Sequence, residues 1–209
     1  MLGRVGAFAE DHSGDRPLTV LLIHGGLGED IDADQFWVQP GIVGALESLG
    51  ASVIAPDRNT TPSTWTEAVD EMAAFLREPV VVVAGSNGAS VGLRLAIDRP
   101  ELVSKLVLLW PATAGDRAVD DALPSTVAHL LAGDTVRGVT DGELQSIRVP
   151  VAVMATDPEN QVHQYRTVDR LVELVPGATR IIERFPESPR PDYAPRHDDF
   201  ITVLRSHVR

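Results

Sequence analysis

A chain of 209 residues, 44% of them hydrophobic, is long enough to bury one sizeable core and short for two full domains. Its net charge of -12 and isoelectric point near 4.8 oppose binding to phosphate backbones and anionic membrane surfaces, so neither nucleic acid nor membrane is an expected partner. There is no cysteine, residues 1–10 lack the apolar run of a secretory signal, and no stretch holds the roughly 20 apolar residues of a membrane span, so a soluble cytoplasmic protein is expected.

In chain order, short β-branched or Leu-rich runs bounded by turn residues predict buried strands at 18–23, 52–55, 80–84, 105–110, 149–155 and 179–185. Between and after them, apolar residues at helical spacing predict helices at 42–49, 65–76, 90–97, 168–175 and 198–208. Continuous apolar strands alternating with amphipathic helices imply an α/β fold, a mostly parallel sheet covered on both faces. The rhythm breaks at 112–147, which is rich in Ala, Asp, Gly and Thr with Leu123, Val127, Leu130 and Leu131 at helical spacing. It reads either as a small lid inserted into a single 1–209 domain or as a crossover helix with a long loop.

Ligands of such sheets bind at the carboxyl ends of the strands, so the residues just past each strand carry the chemistry. These are His24-Gly25-Gly26-Leu27-Gly28, Pro56-Asp57-Arg58, Gly85-Ser86-Asn87-Gly88 and Thr156-Asp157-Pro158. Neither zinc-type spacing nor the glycine spacing of a nucleotide loop is present, and no metal or cofactor is expected.

The strand 80–84 followed by Gly85-Ser86-Asn87-Gly88-Ala89, with Leu93-Arg94-Leu95-Ala96, Arg99-Pro100-Glu101-Leu102-Val103 and Leu106-Val107-Leu108-Leu109, resembles the α/β-hydrolase family. The likeness runs from about residue 18 to the C-terminus and includes His24-Gly25-Gly26, similar to the family's oxyanion loop. It implies the α/β-hydrolase fold, with Ser86 as nucleophile at the apex of a sharp strand-to-helix turn. Such a turn needs small neighbours, supplied by Ala84, which replaces the family's usual first glycine, and by Gly88 and Ala89. The N–H of Asn87, at the head of the helix, can then face a developing oxyanion. By resemblance the second donor is Gly26, with Leu27 as the alternative.

A serine hydroxyl needs a base, and the base a carboxylate to orient it. The family order places the acid after the serine and the histidine last. Asp157, just past a strand, fits the acid, with Asp116 and Asp120 as alternatives. The family's histidine would fall near Arg190, where there is none. His197, in a loop restricted by four prolines, is the first candidate, His163 the second, and a site without a histidine the third. His24 reads as a buried strand-end residue shaping the oxyanion loop, and His12, His129 and His207 have no motif support. Trp37, Trp65 and Trp110 either line a pocket or pack the core. The implied activity is a serine hydrolase acting on an ester, thioester or lactone through an acyl-enzyme. The alternatives are a binding or accessory module with an incomplete triad, and non-hydrolytic lyase or cyclase chemistry. Substrate identity and oligomeric state stay open.

Overall fold

The computed structural model describes residues 18–209; residues 1–17, including the leader reading and His12, lie outside the described residues. Six strands form one parallel sheet in the order β2-β1-β3-β4-β5-β6: β1 (Thr19–Ile23), β2 (Ser52–Ile54), β3 (Val80–Gly85), β4 (Val103–Leu109), β5 (Val151–Thr156) and β6 (Thr179–Phe185). The order reverses beside β1, so a crevice opens at the carboxyl ends of β1 and β3.

β3 is apolar at every position, and β1, β4 and β5 are so over most of their length, because both faces are covered, and their side chains alternate between two cores. Val82 and Ala84 of β3 join Leu106, Leu108 and Val153 on the face packed by α2 (Trp65–Ala73), α3 (Gly88–Asp98) and α6 (Tyr165–Leu174). Val81 and Val83 join Val107, Leu109 and Met154 on the face packed by α1 (Ile42–Glu47) and α7 (His197–Val208). Each fully buried Val or Leu contributes roughly 1.5–3 kcal/mol of transfer free energy. Trp37 and Trp110 lie in this second core, fully buried, and Trp65 packs beside the first with its indole N–H on the Leu130 carbonyl at 3.1 Å.

The expected elements form with shifted ends. The helix expected at 168–175 starts earlier, at Tyr165, whose N–H is taken by the Glu159 carboxylate at 2.6 Å. Thr64 caps α2 by accepting from the Glu67 N–H, and that helix ends at Ala73, ahead of Phe75, which is half-exposed. The 112–147 segment contains α4 (Arg117–Asp120) and α5 (Asp141–Leu144), with a 3-10 turn at Ser125–Leu130 between them. Val127 and Leu130 of that turn pack on Leu27 of the loop after β1. Among the described residues no helix is long and apolar enough to cross a membrane.

Candidate active site

At the carboxyl end of β3 the chain turns into α3 through Ser86, whose φ of 52° lies in the left-handed region that non-glycine residues rarely occupy. The Ser86 N–H donates to the Leu109 carbonyl at 3.0 Å, and its own carbonyl accepts from Ala89 N–H at 3.0 Å, which ties the elbow to β4 and to the helix. Space decides the neighbours. A Cβ on Gly88 would lie 2.5 Å from the His24 carbonyl oxygen and 2.6 Å from that of Ile23, and one on Gly85 would lie 2.7 Å from the Phe36 ring. The small side chains thus allow α3 to start directly against the end of β1.

Across the crevice, His24 and Arg58 build the loop that carries Gly26. The Arg58 backbone N–H donates to His24 Nε2 at 3.0 Å, while His24 Nδ1 meets the Gly25 carbonyl at 2.8 Å, so the ring is the neutral Nδ1–H tautomer. The Arg58 guanidinium, itself buried, donates to the carbonyls of His24, Gly25 and Gly26. Burial, reinforced by the charge of Arg58, lowers the His24 pKa to about 4. Folding therefore favours neutral His24. The stability it contributes is complete above pH ~6.5 and is lost as pH falls toward about 4, an effect of roughly 3 kcal/mol. Thermal melts between pH 7 and 4 are expected to show this slope, and His24→Gln to flatten it. An unchanged slope in that variant would contradict the assignment.

His163 faces the serine. Its Nε2 lies 2.8 Å from Ser86 Oγ. The loop after β5 is shaped for this by Asn160, whose Oδ1 accepts from the N–H groups of Val162 and His163, both at 3.0 Å. The Thr113 N–H on the Val162 carbonyl at 2.7 Å anchors the loop to the end of β4. Behind the imidazole, His163 Nδ1 lies 2.7 Å from Glu187 Oε1, close but off the line of a good hydrogen bond. Glu187 stands two residues past β6, is almost fully buried, and accepts from Asn160 Nδ2 at 2.6 Å. Burial pushes its carboxyl up, but the contact with His163, the His163 charge and hydrogen bonds from Asn160 and Thr156 outweigh it and hold the pKa at about 2. Glu187 is thus ionised at neutral pH.

These groups border a cavity of about 260 Å3 whose walls include Gly26, Phe36, Asn87, Val119 and Leu123. Gly26, with φ of 87°, and Asn87 flank Ser86 there. Val119 and Leu123 come from the 112–147 segment.

The structure does not bring the other sequence candidates to Ser86. Asp157 is half-exposed and turns to Arg196, 3.6 Å away, while its N–H is held by the Phe185 carbonyl at 3.1 Å. His197 begins α7 and pairs with Asp198 at 3.0 Å. Its ring packs edge-on against Tyr193 and beside Gly41, in a separate cavity of about 560 Å3 bordered by Gln39 and Pro40. The proline-rich loop delivers Glu187 and Ser188 to the Ser86 cavity and keeps His197 beside Pro40 and Gly41, next to α1. Asp116 caps α4, and Asp120 pairs with Arg137. Glu187 is the residue that sequence reasoning missed. Its signal was a carboxylate two residues past a strand, in Phe185-Pro186-Glu187.

No family model matches the chain, and no curated protein matches it by sequence. Solved structures do match its fold. Rv0554 from Mycobacterium tuberculosis is similar with a TM-score of 0.72 at 17% identity, over 93% of this chain and 90% of that one. A putative non-heme bromoperoxidase, BpoC, from Mycobacterium tuberculosis H37Rv has a TM-score of 0.71 at 17% identity, over 94% of both chains. A meta-cleavage product hydrolase from Pseudomonas fluorescens has a TM-score of 0.66 at 18% identity, over 90% of this chain and 91% of that one. The structural neighbours are α/β-hydrolase-fold proteins, and this chain has that fold.

Proposed function

We propose, from the α/β-hydrolase fold as premise, that the chain is a serine hydrolase cleaving an ester, thioester or lactone of a small molecule through an acyl-enzyme. The observation that carries this reading is the line from Ser86 Oγ to His163 Nε2 at 2.8 Å and on from Nδ1 to Glu187 at 2.7 Å. His163 takes the Ser86 proton as Oγ bonds to the substrate carbonyl carbon, and Glu187 stabilises the imidazolium so formed. The carbonyl electron pair moves to oxygen, where the backbone N–H groups of Asn87 and Gly26 receive it. When the bond to the leaving group breaks, His163 returns the proton to that group. Water, deprotonated by the same imidazole, then releases the acid and frees Ser86. The 260 Å3 cavity favours short acyl groups.

The imidazole of His163, brought from the loop after β5 to 2.8 Å from Ser86 Oγ, supports this reading over a binding module with an incomplete triad. Short-chain p-nitrophenyl esters test the reading: the wild type is expected to turn them over with one oxygen from labelled water in the acid, and Ser86→Ala to fall to background. Equal turnover by Ser86→Ala, or a product without water oxygen, would overturn it.

A further inference from the structure

Arg137 is an unusual residue to find inside this protein. It comes from the 112–147 segment, is 1% exposed, and lies in the wall of the Ser86 cavity. Lone charges are rarely buried, and this one is doubly held: one terminal nitrogen donates to Asn87 Oδ1 at 2.8 Å and the other to Asp120 Oδ1 at 2.9 Å. The backbone that presents it is pinned too, because Val136 bridges to Thr113 and to Val139, and the Gly138 N–H donates to the Ala132 carbonyl at 2.7 Å.

The partner it chooses matters more than the charge. An asparagine at the mouth of a helix ordinarily turns its side-chain oxygen onto the helix's own first N–H groups. Asn87 makes no such cap. Its backbone is already helical, with φ -65° and ψ -18°, and its carboxamide oxygen accepts from Arg137 instead, so the amino end of α3, with the Asn87 N–H, stays clear for a negative charge arriving at Ser86. We infer that Arg137 is a positioning residue: it holds Asn87 by its carboxamide and thereby aims the Asn87 backbone N–H at the oxyanion, coupling the 112–147 segment to the nucleophile elbow. The inference rests on the hydrolase reading and adds a residue that the triad does not need.

An angular error in one oxyanion donor acts on the transition state and spares ground-state binding. Arg137→Met and Asn87→Ala are each expected to lower kcat for a p-nitrophenyl ester by roughly 10- to 100-fold, given that misplacing a catalytic group by about 1 Å costs on the order of 100-fold. KM is expected to change less than about threefold, and affinity for a boronic acid mimic of the tetrahedral intermediate to fall in step with kcat. Because Arg137 acts through Asn87, the double variant is expected to be no slower than the worse single one. The pH profile of kcat/KM is expected to keep its midpoint, since neither change touches His163. Arg137→Lys, which keeps the charge but not the fork, gives a second series if the methionine variant does not fold, with its loss again absent in the Asn87→Ala background. Losses that multiply, losses confined to KM, or wild-type kcat in Arg137→Met with Ser86-dependent turnover intact would overturn the role of Arg137 alone. A wild type without ester turnover would overturn the hydrolase reading and this inference with it.

Discussion

Replacing His163 by alanine is expected to lower kcat for a short aryl ester by about four to six orders of magnitude, to near the level of Ser86→Ala, while His197→Ala stays within about threefold of wild type. The size follows from the geometry. Among the described residues Ser86 Oγ has one imidazole within hydrogen-bond reach, at 2.8 Å, and without it the hydroxyl must lose its proton to water. His197 is expected to be silent because its ring is committed to Asp198 and Tyr193, at the mouth of a different cavity. Thermal melts on both variants separate chemistry from folding, since His163 is buried against its neighbours whereas His197 is partly exposed. A kcat collapse in His197→Ala with His163→Ala unaffected would reverse the assignment.

Glu187→Gln is expected to lower kcat by about three orders of magnitude with little change in KM, whereas Asp157→Asn is expected to behave as wild type. The glutamate carboxylate lies 2.7 Å from the imidazole and is ionised down to pH about 2, so a negative charge stands ready when His163 becomes positive. Glutamine preserves the volume but removes that charge, and can present an amide N–H where His163 Nδ1 requires an acceptor. The exchange also bears on stability. The Glu187 pKa is lowered in the fold, so its contribution is complete above the ordinary carboxylate range and is lost as pH falls through about 2. The glutamine variant is therefore expected to show a shallower loss of melting temperature on acidification from pH 4.5. Asp157 has no such position: its carboxylate is half-exposed, with Arg196 as its neighbour.

The centre of the sheet was legible because strands covered on both faces favour apolar residues, as in the run Val80-Val81-Val82-Val83, whereas the edge strand β6 exposes Arg180, Glu183 and Arg184. The elbow was legible for a related reason: a strand turning into a helix through a left-handed Ser86 leaves no room for a side chain at Gly88. Its partners were harder to read. A proton relay requires three side chains to meet at the carboxyl ends of β3, β5 and β6, and the loops after β5 and β6 both arrive there. Either loop can present either group, so chain order is not a physical constraint on a triad. The family order directed attention to Asp157 and to a histidine past β6, while this chain sets His163 past β5 and Glu187 past β6. The loop conformation that makes this possible depends on Asn160 folding the backbone over itself, and short polar sequence such as Glu159-Asn160-Gln161 gives no periodic signal. Arg137 was equally hidden, because a cation in a polar stretch reads as solvent-exposed until its partners Asn87 and Asp120 are seen around it.

Activation of Ser86 as a nucleophile through His163 and Glu187 can be read from intact-mass and peptide measurements after brief exposure to a fluorophosphonate. A single adduct is expected on the Ser86 peptide of the wild type, formed as fast in Asp157→Asn and His197→Ala and lost in His163→Ala. An unmodified wild type, or an adduct on Ser86 that forms at an undiminished rate in His163→Ala, would contradict this activation.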